Sequence, residues 1–514
     1  MAKKNVNKKL IELRKKSKLG GGEKRIAKQH EKGKLTARER LAELLDPASF
    51  HELEPFVAQN SVSLKRDDSF TNGVVTGYGQ INGRKVFVYA QDFTVMGGSL
   101  GEMQSHKICR VMDLAVQNGA PIIGLIDSGG ARIQEGVHSL KGYAEIFRRN
   151  SNCSGVVPQI SLILGPCAGG AAYSPALTDF IVMVEKQSHM FITGPNVIKE
   201  ITGEEVDFEN LGGAQVHMSI SGVASLSAKT ELESLSLCRT LLGYLPSNNM
   251  ENPPCIAPSD DPFRMDKKLD TIIPEDVKKP YNMHEVIQRV VDRNSFFEIQ
   301  PTFATHAIVG FARFNGCPVG IVAQEPSALA GIIDIDASDK ITRFVRFCDA
   351  FNISLVTFVD SPGFLPGINQ EHKGIIRHGA KILYAYSEAS VPKVSIVTRR
   401  AFGGAYIVMS SKYLGTDVNY AWPTAEIAVM GAEGAVNIIH RKEINNVDEP
   451  KAERERLIDE YKENYLTPYT AAKAGIIDEV ILPSETRVKI ISALSITKEK
   501  QVQSPARKHG NPPA

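Results

Sequence analysis

The stretch PIIGLIDSGG, residues 121–130, recurs later in the chain as SLVTFVDSPG, residues 354–363, at an offset of 233. In both stretches an apolar run of strand length ends in Asp-Ser, so that Asp127 and Asp360 occupy equivalent positions. A short apolar run followed by a glycine loop is typical of a strand that is buried on both faces of a parallel sheet. The recurrence predicts that the chain contains two copies of one α/β unit.

Hairpin signals extend the repeat upstream of these strands. Asn82-Gly83 separates the alternating runs VVTGYGQI and RKVFVYA, and Asn315-Gly316 separates IVGFARF from CPVGIVA, again at an offset of 233. An Asn-Gly pair between two such runs is a strong signal for a tight β-hairpin. Each copy is therefore expected to begin with a hairpin.

Downstream of the strands the repeat continues at an offset of 234. The two matching pairs of segments are VPQISLI (157–163) with VPKVSIV (391–397), and Gly169-Gly170 with Gly403-Gly404. Pro, Asn and Asp cluster between the copies, around residues 247–280, as in a linker. We therefore predict an α/β fold of two tandem domains from an internal duplication, residues 1–255 and 256–514.

Composition narrows the class of protein. The 514 residues are 42% hydrophobic and 23% charged, as in ordinary globular proteins. No apolar run approaches the roughly 20 residues of a membrane helix, and no apolar segment follows the Lys-rich N-terminus as in a signal peptide. Seven scattered cysteines without a CxxC pair predict reduced thiols, no zinc site and a cytoplasmic location.

Residues 1–40 form a basic arm, with 15 Lys or Arg against 4 Asp or Glu, whereas the remaining residues carry 45 against 54. The arm is predicted to be helical, with a break at residues 20–22 and a capping box from Thr36 to Glu39. Its charge favours binding to a polyanionic partner. The alternative is that the arm is a solvated helix that packs on the acidic body. Without Phe, Tyr or Trp the arm offers bases nothing to stack on, so nucleic acid is not expected as a partner.

The feature that both copies share at a strand end is a glycine pair, not a reactive side chain. Glycine lets backbone N–H groups approach a ligand closely, so each pair is a candidate oxyanion hole for a developing negative charge on a carbonyl oxygen. The alternative is close packing of a helix on a strand.

Two other motifs resemble catalytic sites without requiring one. Cys167 in GPCAG has the spacing of a nucleophile elbow, but the second copy has Arg400 or Ala401 at that position, so the fold does not need a nucleophile there. Lys34 in GKLT lacks the upstream glycine of a phosphate-binding P-loop.

Longer segments resemble the acyl-CoA carboxyltransferase family. They are DSGGARIQEG (127–136), GPCAGGAAYSPALTDF (165–180), MFITGP (190–195), FVDSPGFLPG (358–367), GIIRHGAKILYAYSEASVPK (374–393), RRAFGGAYIVMSSK (399–412) and AWPTAEIAVMGAEGA (421–435). The family includes the β subunits of propionyl-CoA and acyl-CoA carboxylases, the large subunit of transcarboxylase and the α subunit of methylmalonyl-CoA decarboxylase. The likeness runs from about residue 20 to the KHGN tail at 508–511.

This resemblance implies two crotonase-like ββα-superhelix domains and a homo-hexamer that is a trimer of dimers. It implies that the N-terminal domain of one protomer binds acyl-CoA and the C-terminal domain of another binds biotin. The chain has no Met-Lys-Met biotinylation site and no ATP-binding signature. Biotin, as carboxybiotin, is therefore expected on a separate carrier protein, with a biotin carboxylase as a further partner and no metal in this subunit.

Site residues follow from the resemblance, position by position. The N–H groups of Gly169 and Gly170 are expected to hold the thioester oxygen, and those of Gly404 and Ala405 the ureido oxygen of biotin. The other candidates are Ser128, Gly129, Gly130, Ala131, Arg132 and Ile407 for substrate; Ser361, Pro362, Gly363, Phe364 and Gly403 for biotin; and, from charge and position only, Lys24, Arg25, Lys34 and Arg38 for the CoA phosphates. Arg132 is equally well explained as structural, and subunit contacts are an alternative use of the arm. In this scheme no side chain acts as a general base.

Substrate choice is predicted from Ile407. Propionyl-selective family members have Asp at that position, so Ile407 predicts use of acetyl-CoA as well as propionyl-CoA, unless it only fills the pocket wall. The predicted reaction is carboxylation of these acyl-CoAs, with decarboxylase and transcarboxylase as alternatives within the family. Two other classes remain open: a biotin-independent hydratase or isomerase with Glu135 as its carboxylate, and a non-catalytic scaffold for carrier subunits.

Overall fold

The computed structural model describes residues 2–58, 72–258, 260–276 and 279–513. Residues 259, 277 and 278 of the predicted linker lie outside the described residues. The chain divides into two compact units, Met1–Glu251 (unit 1) and Asn252–Ala514 (unit 2).

Unit 1 alternates strands and helices after a helical N-terminal arm. Its helices are α1 (Ala2–Lys18), α2 (Glu23–Glu31), α3 (Ala37–Leu44), α4 (Glu102–Gln117), α5 (Val137–Cys153), α6 (Gly170–Ala176), α7 (Pro195–Thr202), α8 (Phe208–Gly212), α9 (Ala214–Ser219) and α10 (Glu231–Leu242). Its strands are β1 (His51–Leu53), β2 (Val74–Ile81), β3 (Arg84–Gln91), β4 (Ile122–Ser128), β5 (Gln159–Ala168), β6 (Phe180–Val184), β7 (His189–Phe191) and β8 (Leu226–Ala228).

The unit 1 strands form one sheet in the order β1-β2-β3-β4-β5-β6-β8, with β7 paired to β5. The pairs β1–β2 and β2–β3 are antiparallel, and the pairs from β3 onward are parallel. The β2–β3 turn is the predicted one, because Asn82 and Gly83 both have positive φ, 52° and 75°, as a two-residue hairpin loop requires. Strand β4 is buried along its whole length, as expected for a central parallel strand.

Unit 2 repeats this arrangement. Its helices are α11 (Met283–Val290), α12 (Ile335–Ala350), α13 (Ile368–Lys373), α14 (Ile375–Glu388), α15 (Gly403–Val408), α16 (Ala432–Ile439), α17 (Arg441–Ile444), α18 (Pro450–Tyr461), α19 (Pro468–Lys473) and α20 (Thr486–Thr497). Its strands are β9 (Phe297–Ile299), β10 (Ala307–Phe314), β11 (Cys317–Gln324), β12 (Ser354–Ser361), β13 (Lys393–Phe402), β14 (Val418–Ala421), β15 (Glu426–Ala428) and β16 (Glu479–Val480).

The second sheet has the order β16-β14-β13-β12-β11-β10-β9, with β15 paired to β13. Both sheets carry the same irregularity near the carboxyl ends of their central strands. The register between β4 and β5 shifts between Ile126 and Ser128, and the register between β12 and β13 shifts between Val359 and Ser361. The predicted α/β fold with an internal duplication is confirmed, and the shared bulge is a further likeness between the two units.

Buried ion pairs connect helices to the sheets. In unit 2, Arg487 at the start of α20 is 1% exposed, and its Nη2 lies 2.6 Å from Asp292 Oδ1. Asp292 in turn accepts the N–H groups of Asn315 and Gly316, the β10–β11 turn. Close by in the fold, the fully buried Trp422 donates from Nε1 to the hydroxyl of Thr486. These contacts fix α20 against the hairpin and core of unit 2.

One pair of cysteines differs from the prediction that all thiols are reduced. Cys255 and Cys317 are joined in a disulfide, so the prediction of reduced thiols is wrong for these two residues. Their separation of 62 residues hides the contact in the sequence. The other five cysteines are unbonded and buried.

The predicted helical arm with its break is also found, and Thr36 and Glu39 form the predicted capping box at the start of α3. Among the helices of the described residues, none combines the length and apolar character needed to cross a membrane.

Candidate active site

In unit 1 the glycine pair lies where β5 passes into α6. Gly169 has φ 59° and ψ −128°, a conformation that glycine adopts readily and other residues avoid. Its N–H donates to the carbonyl oxygen of Phe191 at 3.0 Å, which extends the β5–β7 ladder. The next two N–H groups, of Gly170 and Ala171, open a helix and have no intrahelical acceptor. One N–H of the predicted pair, that of Gly169, is therefore already hydrogen-bonded within the sheet, and the N–H groups without an intrahelical acceptor are those of Gly170 and Ala171.

Unit 2 presents the same arrangement where β13 passes into α15. Gly403 has φ 55°, and a Cβ atom there would lie 2.9 Å from the Val429 carbonyl oxygen, so a larger residue is disfavoured on both grounds. Gly404 and Ala405 follow in the first helical turn, where N–H groups lack intrahelical acceptors. At the offset of 234 they correspond to Gly170 and Ala171. The predicted pair of unit 2 thus corresponds to Gly170 and Ala171, and not to the predicted Gly169 and Gly170.

An aromatic ring lies against each of these glycines. A Cβ atom on Gly170 would be 3.1 Å from the Tyr143 ring, and one on Gly404 would be 3.5 Å from the Phe364 ring. Tyr143 comes from α5, whereas Phe364 comes from the loop after β12, so the two rings are not equivalent in the repeat. Both rings place an apolar surface beside the glycine pair. Phe364 was predicted from its motif, but Tyr143 has no signal in the sequence.

The loop after β4 is fixed by internal bonds. The backbone N–H of Leu100 donates to Gly130 O, and that of Arg132 donates to Leu100 O, on either side of Ala131. Gly130 itself has φ 102° and donates to the buried hydroxyl of Ser128. The corresponding loop of unit 2 is held in the same way, because Ile333 donates to Gly363 O and Leu365 to Ile333 O.

Arg132 and Glu135 form an internal pair. The Arg132 side chain is buried, with Nη1 2.8 Å from Glu135 Oε1 and Nη2 2.9 Å from the Ser99 carbonyl oxygen. The other carboxylate oxygen of Glu135 accepts the Glu102 N–H at 2.7 Å. Arg132 is therefore structural, and Glu135 is not presented as the base that a hydratase or isomerase requires.

Cys167 has the environment of a core residue. Its side chain is fully buried and its Sγ donates to Ala171 O at 3.2 Å. Burial raises the pKa of this thiol, which opposes formation of the thiolate nucleophile. The hydrogen bond instead fixes the first turn of α6.

The four predicted CoA-phosphate ligands lie in different environments. Lys34 is 8% exposed, and its Nζ is 2.7 Å from Asp127 Oδ2, so this prediction is corrected: the ammonium is an internal counterion. Arg38 pairs with Glu52 at 2.8 Å, and Arg25 donates to Thr94 O at 3.0 Å. Lys24 and Arg25 are exposed. For these exposed residues phosphate binding stays a prediction.

Ile407 lies on α15, two residues beyond Ala405. This residue is 51% exposed, whereas Ala405 and Val408 of the same helix are buried. An apolar side chain that projects from the helix beside the N–H pair can contact a ligand bound there. The exposure favours a contact with ligand over a role in filling the core.

Two pairs of N–H groups, each at the carboxyl ends of parallel strands and each beside an aromatic ring, are typical of enzymes that use oxyanion holes. Such sites stabilise negative charge on a carbonyl-type oxygen, as an enolate or a tetrahedral intermediate does. The chain belongs to the carboxyl transferase domain family, whose profile matches residues 28–512.

Individual relatives are similar over nearly the whole chain. The carboxyltransferase subunit of propionyl-CoA carboxylase from Haloferax mediterranei is 57% identical over 506 residues, 98% of each chain. The α subunit of methylmalonyl-CoA decarboxylase from Veillonella parvula is 56% identical over 97% of each chain. The crystal structure of the transcarboxylase 12S hexamer with methylmalonyl-CoA bound superimposes with a TM-score of 0.96 at 52% identity, covering 99% of this chain and 98% of that one.

Proposed function

We propose that the chain is the carboxyltransferase subunit of a biotin-dependent acyl-CoA carboxylase, which transfers a carboxyl group from carboxybiotin to the α-carbon of propionyl-CoA and acetyl-CoA. The observation that carries the proposal is the equivalent N–H pair in each unit, one for each of two carbonyl-type oxygens. The propionyl-CoA carboxylase relative supports the same activity.

In unit 1, the N–H groups of Gly170 and Ala171 bind the thioester oxygen of acyl-CoA. Loss of the α-proton moves negative charge onto this oxygen, so both hydrogen bonds strengthen as the enolate forms. A preorganised donor of this kind contributes about 3–4 kcal/mol. The apolar face of Tyr143 keeps water from one side of the pair, which preserves that contribution.

In unit 2, the N–H groups of Gly404 and Ala405 fit the ureido oxygen of biotin, which is a hydrogen-bond acceptor. The Phe364 ring offers an apolar surface beside the pair. When bound, carboxybiotin supplies the carboxyl group. The chain's own contribution is to hold the ureido oxygen, orient the ring and exclude water.

The proposal includes the assembly and setting expected for such a subunit. It comprises crotonase-like domains, a homo-hexamer, a separate biotin carboxylase and biotin carrier, and a cytoplasmic location. The hexamer of transcarboxylase 12S supports the assembly. Decarboxylase and transcarboxylase functions are the alternatives, and the Veillonella parvula relative favours the first of these.

Free biotin provides a direct test of the reaction. Purified protein incubated with methylmalonyl-CoA or malonyl-CoA is expected to release CO2 only when biotin is added, because the reverse transfer needs an acceptor. CO2 release and acyl-CoA products would be followed together. A scaffold would release none in either condition, and a biotin-independent enzyme would act equally without biotin.

We expect Ile407→Asp to change substrate preference. The variant acquires the Asp that propionyl-selective members of the family have at this position, so kcat/KM for acetyl-CoA relative to propionyl-CoA should fall about 10-fold or more. The measurement is carboxylation of both substrates by the enzyme reconstituted with its biotin carboxylase and carrier. Ile438→Asp, an exposed isoleucine on α16, is a matched control that should leave the ratio unchanged. An unaltered ratio in Ile407→Asp would contradict the specificity proposal.

A further inference from the structure

A buried carboxylate faces the bulge in both sheets. Asp127 of β4 and Asp360 of β12 are each 0% exposed and lie opposite the residues of β5 and β13 where the register shifts. A buried carboxylate needs a nearby cation and hydrogen-bond donors, because burial penalises its charge. The two units meet this requirement with different residues.

In unit 2 the residues of the bulge themselves supply the cations and donors. Arg399 Nε is 3.0 Å from Asp360 Oδ2, and Arg400 Nε is 2.8 Å from Asp360 Oδ1. The backbone N–H of Arg400 donates to the same Oδ1 at 3.2 Å. Both oxygens of Asp360 are thus bound by the neighbouring strand.

Unit 1 has no cation at the equivalent positions, which are Gly165 and Pro166 at the offset of 234. Pro166 also lacks the N–H that Arg400 donates, and among the described residues Asp127 Oδ1 has no hydrogen-bond donor. A Cβ atom on Gly165 would lie 2.5 Å from Lys34 Nζ and 2.0 Å from Asp127 Oδ1. The absent side chain therefore leaves room for a cation that arrives from elsewhere.

The N-terminal arm supplies two cations. Lys34 Nζ is 2.7 Å from Asp127 Oδ2, and Arg40 Nη1 is 3.0 Å from the same oxygen. Arg40 also binds Glu231 of α10 at 2.7 Å and donates to Leu164 O, directly before Gly165. The four charged side chains are all buried and their charges cancel.

We propose that Lys34 is a positioning residue for the acyl-CoA site, an inference that rests on the proposed function. By holding Asp127 against the bulge together with Arg40, its ammonium fixes the path of residues 165–170, which lead into the N–H groups of Gly170 and Ala171. In this respect the arm replaces the arginines that unit 2 carries on its own strand. The arm is thus part of the acyl-CoA half of the enzyme, without touching the substrate through Lys34.

The test compares Lys34→Met with Lys107→Met in the full-length protein. Lys107 is a matched control, since it is a buried lysine of unit 1 whose Nζ binds a carbonyl oxygen, that of Val74, at 2.9 Å. We expect Lys34→Met to lower kcat for propionyl-CoA about 10- to 100-fold, because small displacements of donors cost rate steeply. KM should change less than about threefold, since a displaced donor loses its contribution mainly in the transition state.

A spectroscopic readout separates positioning from general stability. The carbonyl stretch of 13C-labelled propionyl-CoA, bound without biotin so that no turnover occurs, reports polarisation by the N–H pair. We expect the stretch to move to lower frequency on binding to the unmodified protein and to Lys107→Met, and to move less on Lys34→Met. If Lys34→Met does not fold, as judged by circular dichroism and hexamer size, the milder Lys34→Gln variant is measured in its place.

Each outcome has one reading. An unchanged kcat and carbonyl shift in the Lys34 variant would overturn the positioning role, as would an equal loss in Lys107→Met. The absence of any carbonyl shift in the unmodified protein would instead overturn the oxyanion hole of the proposed function. The two failures are therefore distinguishable.

Discussion

Replacing Gly169 by alanine is expected to lower kcat for acyl-CoA carboxylation about 100-fold or more while the protein still folds. At φ 59° and ψ −128° an alanine is strained, and relief of that strain rotates the peptide between residues 169 and 170. The rotation turns the Gly170 N–H away from the thioester oxygen and removes one donor of the hole. Steady-state kinetics of the reconstituted carboxylase measures the effect.

Gly83→Ala is the matched control for that variant. Gly83 also has a positive φ, 75°, with open space where its Cβ would be. It lies in the β2–β3 turn, where the parallel strands begin, whereas the glycine pair lies where β5 ends. Its kcat should stay within about twofold, since this alanine also takes a positive φ but the donors are untouched. Equal losses in both variants would show that backbone strain alone accounts for the effect.

The largest expected effect on stability is that of Arg487→Met. Removing the guanidinium leaves Asp292 buried without its cation, and breaking a buried ion pair from one side costs about 3–5 kcal/mol. Trp422 is the only tryptophan of the chain and lies in the core of unit 2, so its fluorescence during urea unfolding reports this unit. The transition should move to lower urea concentration.

Arg456→Met provides the comparison for Arg487→Met. Arg456 also binds carboxylates, Glu453 and Glu460, but on the exposed surface of α18, where ion pairs contribute little. Its fluorescence transition should coincide with that of the unmodified protein. A similar shift in both variants would contradict the argument that burial makes the Asp292 pair important.

Local patterns that recur in the two halves of the chain were sufficient to predict the duplicated fold. Asn82-Gly83 and Asn315-Gly316 mark their hairpins because two consecutive positive φ angles restrict the residue choice strongly. The burial of β4 and β12 follows from their predominantly apolar runs, IIGLI and LVTFV. These signals need only neighbouring residues, and therefore a single sequence reveals them.

The N–H pair predicted for unit 1 differs by one residue from the pair that the structure favours, for a different reason. The Gly169 N–H is occupied by Phe191 O, and β7, which supplies that carbonyl, is a strand of three residues without a pattern of its own. The sequence places glycines at the strand end but does not say which N–H the sheet consumes. Only the pairing of β7 with β5 decides it.

Charge alone misassigned Lys34. As a lysine in a basic arm it was grouped with Lys24 and Arg25, yet its partner, Asp127, lies 93 residues away in the sequence. Comparing the repeats would have given a clue, since Arg399 and Arg400 have no basic counterpart at Gly165 and Pro166. A missing cation opposite a retained aspartate signals that the cation comes from another segment.

The segment that follows unit 1 has a practical consequence for dividing the chain. Arg313 binds the carbonyl oxygen of Pro254, the Ile256 N–H donates to Gly316 O, and Cys255 is bonded to Cys317. These residues therefore belong to the folded body of the second unit and are not a dispensable tether. A gene fragment encoding that unit for separate expression should begin no later than Asn252, because a start at residue 260 would remove a cross-link and two hydrogen bonds from the β10–β11 hairpin.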